Sequence, residues 1–521
     1  MGIYLNPNNN KFLEYYNSKI FVDKSRIINV INDSLNTTDK YMCVTRPRRF
    51  GKTLTLSMLN AYYSKGCDSK ELFDKLEISK SPSYLEHLNK HNIILIDIAS
   101  LYSDSRGEFL NKLNKNIINE LNECFPNILT SDVSTVGEAI KKVNLKTNET
   151  FIFLIDEWDV IFREEPHSKL CDEYIMLLRS LFKANDVSAC IDLVYMTGIL
   201  PIKRYSAESA LNMFEEYNMI NPQGLESYLG FTEKDVKELC KKYKRNFNDI
   251  KEWYDGYRLK KTEIYNPRSV VKAILSNELG NYWTQTSALE SVTNYMNYDN
   301  GVLKDLIGLM MLGEKVAVDP TLFDNDLTKV DSKDAALTVL IHLGYLAYDE
   351  NSKTCYIPNY EIKLEFERAF KKLKWYELDN PISSSFKLLE KTLKGDVDFI
   401  NETLDINHKE LASLFNKNKE DVLGIIVYMS YYRAKEFYAI RKEDTSTLGR
   451  ADITFTPRDN THIPMIIELK ANKPVEDAMS QIKEKDYTSV FNGYKGKLLL
   501  LGITYDSSTL KHESKIEYIE L

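Results

Sequence analysis

A chain of 521 residues with 43% hydrophobic and 28% charged side chains is ordinary globular material, and at roughly 150 residues per unit it divides into about three to four units. The net charge of −8 and pI of 5.7 exclude a chain-wide cationic field for nucleic acid and leave only local basic clefts. Seven cysteines without a C-x-x-C pair exclude a disulfide framework or a cysteine zinc site and fit a reducing compartment.

In chain order, the apolar runs Tyr41–Thr45, Asn92–Ile98, Phe151–Ile155 and Ile191–Met196 each have the length of a buried parallel strand. Helical patterns separate them at Leu54–Tyr63, Phe109–Leu121 and Glu173–Lys183. This alternation predicts a parallel α/β sheet. From Glu226 to Ile400 short helical patterns dominate and strand signals are weak, as at Thr354–Ile357. A helix over Lys419–Tyr432 then leads into strands at Glu436–Arg441, Ala451–Phe455 and Met465–Lys470, a helix near Val475–Lys485 and a strand at Lys497–Ile503.

The expected architecture is α/β and multidomain. A P-loop parallel-sheet ATPase spans 1–220, a helical lid or winged-helix-like region 221–300 and a helical connecting region 301–400. A restriction-endonuclease-like α/β domain spans 401–521. The opening MGIYLNPNNN lacks a charged segment followed by an apolar stretch, so no signal peptide is expected. Gly2 is followed by Asn6 rather than Ser or Thr at the sixth position, so no myristoylation is expected. Apolar runs such as Leu423–Tyr432 fall short of the roughly 18 residues that span a membrane. The expected location is the cytoplasm, with no membrane partner.

Arg46-Pro47-Arg48-Arg49-Phe50-Gly51-Lys52-Thr53 lies between the first strand and the first long helix, where a phosphate-binding loop belongs. Main-chain N–H groups from Arg49, Phe50 and Gly51 onward would cradle the β-phosphate of ATP. Lys52 would neutralise the β- and γ-phosphates, and Thr53 would place its hydroxyl on Mg²⁺. The strand Phe151–Ile155 ends in Asp156 and Glu157: Asp156 suits a place beside the Mg²⁺, and Glu157 can take a proton from the attacking water. Thr197, ending the fourth strand, is a candidate γ-phosphate sensor. A further cation is needed for the transition state, with Arg46, Arg48, Arg49, Arg179 and Arg204 as candidates.

Together with Phe21-Val22-Asp23-Lys24, Ile155-Asp156-Glu157-Trp158-Asp159, Thr197-Gly198, Gly230-Phe231-Thr232, Trp253-Tyr254-Asp255-Gly256-Tyr257, Tyr265-Asn266-Pro267, Tyr282-Trp283 and Thr286-Ser287, this loop resembles the AAA-ATPase-like domain family over Ile20–Ser287. The resemblance implies an ATPase core with a helical lid, and it makes Arg46 in place of the usual first glycine a family trait. Arg268 departs from the aromatic expected there.

In the C-terminal unit, Gly449-Arg450-Ala451-Asp452 precedes Glu468-Leu469-Lys470 on an apolar strand. Alternation places Glu468 and Lys470 on one face. Asp452, Glu468 and the Leu469 carbonyl form an oxygen set for Mg²⁺ or Mn²⁺, with Lys470 beside the metal-bound water. The arrangement resembles the PD-(D/E)XK nuclease superfamily, which implies catalytic roles for Asp452, Glu468 and Lys470. It also makes Gln481 an accessory position, with Tyr487 and Glu420 or Asp421 as further candidates. Lys473, Lys483, Lys485, Lys495 and Lys497 would rim the cleft toward a phosphate backbone.

The expected function is ATP binding and hydrolysis joined to Mg²⁺-dependent DNA cleavage, in defence against or processing of foreign DNA. RNA is the alternative substrate, and homo-oligomerisation is left open. The competing expectation is a nucleotide-switched signalling or assembly NTPase whose C-terminal domain only binds nucleic acid.

Overall fold

A computed structural model describes residues 2–105, 108–166, 168–202, 211–283, 293, 296, 302–323, 330, 332–412, 419–442, 452–459, 461–484, 491 and 494–520. The chain separates into two compact units. The first comprises 1–299 and 315–364, the second 300–314 and 365–521.

The four apolar runs of the first unit become β1 (Tyr41–Thr45), β2 (Asn92–Asp97), β3 (Phe151–Asp156) and β4 (Ile191–Gly198), joined by a short β5 (Glu215–Tyr217). They form a wholly parallel sheet in the order β2-β3-β4-β1-β5. Alternate residues supply separate cores on its two faces. Cys43, Ile94, Phe153, Ile155, Val194 and Met196 serve one face, and Met42, Val44, Ile93, Leu154, Leu193 and Tyr195 the other. Burial on both sides is why these strands read as unbroken apolar runs. Because β1 inserts between β4 and β5, the carboxyl ends of β1, β3 and β4 lie side by side. That edge is where open α/β sheets bind ligands.

Beyond this sheet the unit adds two small antiparallel sheets. One has the order β6-β8-β7, from β6 (Phe231–Thr232), β7 (Tyr257–Leu259) and β8 (Thr262–Tyr265). The other has the order β10-β11-β9, from β9 (Val316–Ala317), β10 (Ala347–Asp349) and β11 (Thr354–Tyr356). Strands of two to four residues give too few alternations to be told from loops in a sequence.

The second unit is built on a sheet of β12 (Tyr438–Lys442), β13 (Ile453–Pro457), β14 (Met465–Ala471), β15 (Lys497–Asp506) and β16 (Lys511–Glu520), in that order. Only β14 and β15 run parallel; the other pairs are antiparallel. Three helices line one face: α3 (Tyr376–Leu393), α4 (Val397–Leu411) and α5 (Lys419–Ser430). Leu388, Leu404, Leu423 and Val427 meet Ile467, Leu501 and Ile503 there. A later helix, α6 (Val475–Glu484), covers the other face through Met479 and Ile482 on Ile466, Leu498 and Leu500. Among the described residues no helix is long and apolar enough to cross a membrane.

The tripeptide Asp255-Gly256-Tyr257 shows why one glycine is required in the first unit. Gly256 has φ +103°, and a Cβ there would lie 1.9 Å from the Pro358 carbonyl oxygen. Both the conformation and the contact are closed to a side chain. Gly256→Ala is therefore expected to destabilise the first unit by at least about 2 kcal/mol, read from denaturant unfolding. A change below about 0.5 kcal/mol would contradict this packing.

Candidate functional site: a phosphate loop and a carboxylate pair

The loop between β1 and α1 (Lys52–Tyr63) is held by side chains rather than by glycines. Arg46 is completely buried, and its Nη1 donates to the Thr45 carbonyl at 2.8 Å and the Tyr217 carbonyl at 2.9 Å. This ties the loop base to β5, and burial lowers the Arg46 pKa to about 10. Pro47 abuts Gly344, and Asn266 Nδ2 donates to the Arg48 carbonyl at 3.3 Å. The Phe50 ring is fully buried, edge-on to Tyr257 at 5.4 Å and to Trp283 at 6.4 Å. Anchored this way, the chain passes through positive φ at Arg49 (+69°) and Gly51 (+87°) before entering α1.

Lys52 is buried, and its ammonium donates to the carbonyls of Arg46 and Pro47 at 3.0 Å each. Burial lowers its pKa, while Glu157 and Asp156 pull the other way. Thr53 hydrogen-bonds the Asp156 carboxyl, whose pKa burial nevertheless raises to about 6, helped by Glu157. Asp97 stands beside Asp156 in the β2–β3 register and bonds the Ser100 N–H and hydroxyl.

Glu157 follows at φ +52°, with its N–H on Asp156 Oδ1 at 3.0 Å. Its Oε2 accepts from Arg163 Nη2 at 2.5 Å, and Arg163 Nε donates to Asp159 at 3.0 Å. Asp159 is fully buried and accepts the N–H of Leu200 at 3.0 Å. A Cβ on Gly198 would come within 2.5 Å of Asp159 and of Trp158, which accounts for the glycine after Thr197. The Thr197 hydroxyl itself donates to the Val44 carbonyl at 2.8 Å, fully buried.

Of these groups, Gly51, Lys52, Thr53, Glu157 and Arg163 line a cavity of about 870 Å³, within the range of small-molecule sites. Its lining combines polar groups, among them Arg49, Lys52, Thr53, Glu157 and Arg163, with apolar ones, among them Ile20, Phe21, Val22, Phe231 and Val271. The Phe21–Lys24 segment forms a wall because Asp23 accepts from the Glu77 N–H at 2.6 Å and Lys24 donates to the Ser227 carbonyl at 2.9 Å. Arg268, on α2 (Pro267–Ser276), also faces the cavity. Arg49 is held below its ordinary pKa by burial and then by Arg268 and Arg48. Such crowding of cations is relieved by a polyanion.

Of the arginine candidates, Arg48 and Arg49 line the cavity, whereas Arg46 is spent under the loop and Arg179 is not among the lining residues. Arg204 lies outside the described residues, as do Thr286 and Ser287. Arg163 went unread in the sequence, and Arg268 was read only as a departure from an expected aromatic. The signal for Arg163 was its spacing of four from Asp159; for Arg268 it was its place after the Asn266 cap and Pro267 at a helix start.

In the second unit, β13 and β14 pair with Ile453 opposite Ile467, which sets Asp452 beside Glu468. Asp452 Oδ2 accepts the Leu469 N–H at 2.7 Å, and Lys470 Nζ lies 3.1 Å from Glu468 Oε1. Glu468 is 1% exposed. Strand parity puts Glu468 and Lys470 on the side of Ile466, which α6 covers, and Gln481 belongs to that helix. By donor chemistry, two carboxylates and a main-chain carbonyl would suit a hard divalent cation that keeps its waters. Among the described residues no cluster of three or more His, Cys, Asp or Glu side chains is poised for a metal, so the set needs that carbonyl. Gly449, Arg450, Ala451, Lys485 and Tyr487 lie outside the described residues, as do the side chains of Glu420 and Asp421. Lys483 of the basic rim pairs with Glu517 at 2.6 Å.

Residues 12–207 match the model of the predicted AAA-ATPase family, and residues 418–515 match that of the PD-(D/E)XK nuclease superfamily. An uncharacterized protein in the vnfD 5' region of Azotobacter chroococcum mcd 1 is 21% identical over 486 residues, covering 89% of each chain. The solved Aeropyrum pernix ORC2 protein (ADPNP-ADP complexes) is 12% identical, covering 68% of this chain and 98% of its own at a TM-score of 0.29, a superposition that carries no argument. The chain thus joins an AAA-ATPase-like domain to a domain of the PD-(D/E)XK nuclease superfamily.

Proposed function

We propose that the first unit binds and hydrolyses Mg²⁺-ATP and that the second is a Mg²⁺-dependent DNA endonuclease, Mn²⁺ serving as a substitute metal. The observation that carries the reading is the meeting of Asp452, Glu468 and Lys470 at one strand pair, a trio that a purely binding domain does not need.

In the first unit, Lys52 would exchange its own loop carbonyls for the β- and γ-phosphates, and Thr53 and Asp156 would hold the magnesium ion. Glu157 takes the proton of the attacking water. The apolar side chains of the lining, Ile20, Phe21, Val22, Phe231 and Val271, suit the base. In the second unit, Asp452, Glu468 and the Leu469 carbonyl hold the metal, which when bound supplies an acidified water and neutralises charge at the phosphate. Lys470 orients that water, and Gln481 steadies the site from α6. A role against foreign DNA is proposed from the fusion of the two domains, an argument by association.

Lys52→Ala should weaken ATP binding by calorimetry by roughly 100-fold, about 3 kcal/mol; unchanged affinity would refute the loop assignment. Glu468→Ala and Lys470→Ala should each lose at least about 100-fold in metal-dependent plasmid nicking while ATP binding persists. Cleavage equal to the parent's by either would refute the nuclease site.

Asp156 gives a stability test. Its folded pKa of about 6 lies above the ordinary 3.8, so ionisation penalises the native state. The penalty is complete above pH 6, fades as pH falls through that value and vanishes below 3.8. Asp156→Asn should therefore be more stable than the parent at neutral pH, by up to about 3 kcal/mol, with the difference closing in acid. It should also lose the Mg²⁺-ATP increment in melting temperature. A variant less stable than the parent at neutral pH would contradict this.

A further inference from the structure

We propose that Arg163 is a positioning residue that fixes Glu157 for proton transfer from the attacking water, an inference that rests on reading the cavity as an ATP-hydrolysis site. In that step the water oxygen bonds to the γ-phosphorus and the bond from phosphorus to the β–γ bridging oxygen breaks. ADP takes that electron pair, and the water proton passes to the Glu157 carboxylate.

A glutamate side chain has three rotatable bonds, and a general base must be held within hydrogen-bond reach of its proton. Glu157 lines the open cavity with its side chain 28% exposed, so packing alone does not fix its carboxylate. Arg163 does so at 2.5 Å through Nη2, engaging Oε2.

The guanidinium is itself held at its other edge. Nε donates to Asp159 at 3.0 Å. The Asp159 carboxylate is fully buried and bonded to the N–H groups of Ile199 at 3.3 Å and Leu200 at 3.0 Å. The Leu200 carbonyl in turn accepts the Trp158 indole N–H at 3.1 Å. A continuous chain of contacts therefore runs from the main chain after β4, through Asp159 and Arg163, to the carboxylate of Glu157. Only the planar fork of an arginine spans two carboxylates this way; a lysine reaches one at a time. Burial works against the Arg163 charge, but Asp159 and Glu157 outweigh it and hold the group above its ordinary pKa. A charged and rigidly tethered guanidinium suits orientation of a base rather than release of one, because opening the pair would leave Glu157 without its partner.

The test is steady-state ATP hydrolysis by the full chain, with ADP affinity by calorimetry and melting temperature measured alongside. Arg163→Gln should lower kcat at least tenfold, within the roughly 10²–10⁴-fold contribution of a general base, while KM and ADP affinity stay within about twofold. Arg163→Lys, which keeps a charge beside Asp159, should recover part of kcat; should the Gln variant not fold, a kcat for Arg163→Lys at least about threefold below the parent's remains the expected result. The proposal is overturned if Arg163 variants turn over like the parent while Glu157→Gln does not. It is also overturned if kcat falls only in step with ADP affinity and melting temperature, the mark of a structural ion pair. A parent that binds no ATP, or a Glu157→Gln variant as active as the parent, would instead remove the ATP-site reading itself.

Discussion

The ammonium of Lys52, buried under its own loop on the carbonyls of Arg46 and Pro47, is the interaction on which the first unit's site depends. A buried cation is costly unless its hydrogen bonds are met, and these carbonyls can meet them only if the loop keeps one shape. A glycine-rich loop reaches such a shape by conformational freedom. Here Arg46, Pro47 and Phe50 fix it instead, each pressed against a different part of the unit: β5, the turn at Gly344, and the rings of Tyr257 and Trp283. The motifs scattered from Gly230 to Trp283 thereby gain a common reason. They form the mould in which the proposed phosphate loop is cast.

Electrostatics follow from that frame. Three acidic groups, Asp97, Asp156 and Glu157, gather at the carboxyl ends of β2 and β3, and of these Glu157 lines the same cavity as Arg49, Lys52, Arg163 and Arg268. Asp156 is driven toward its neutral form by burial, and Lys52 is likewise disfavoured as a cation. Groups held against their charged forms in this way mark candidate sites for a ligand that relieves them. A phosphate chain with its magnesium ion would satisfy both signs at once.

Much of this was legible in the sequence where the signal is local. The buried strands announced themselves as apolar runs, the loop by its place between strand and helix, and the Glu468–Lys470 face by simple alternation. Other features were not legible, for physical reasons. The strands from Phe231 to Tyr356 are too short to show a period. Strand β16, KHESKIEYIE, lies at the sheet edge with a largely polar composition, as edge strands often do, and so gave no strand signal. Helix α3 read as part of a connector because nothing in its own pattern tells that Leu388 helps close the core over β14 and β15. Arg163 was overlooked because its importance is relational. Its value lies in reaching Glu157 and Asp159 together, and the spacing of four from Asp159 marks only one of those two contacts.

Two chemistries are assigned to one chain, and cleavage is the more demanding of them. The most direct measurement is conversion of supercoiled plasmid, single-stranded DNA and RNA by the purified full chain with Mg²⁺, with and without ATP, against an EDTA control. Nicked or linear DNA that appears only with the divalent ion is the expected result. Intact substrates of every kind, with ATP turning over in the same tube, would contradict it and leave the second unit a nucleic-acid-binding module.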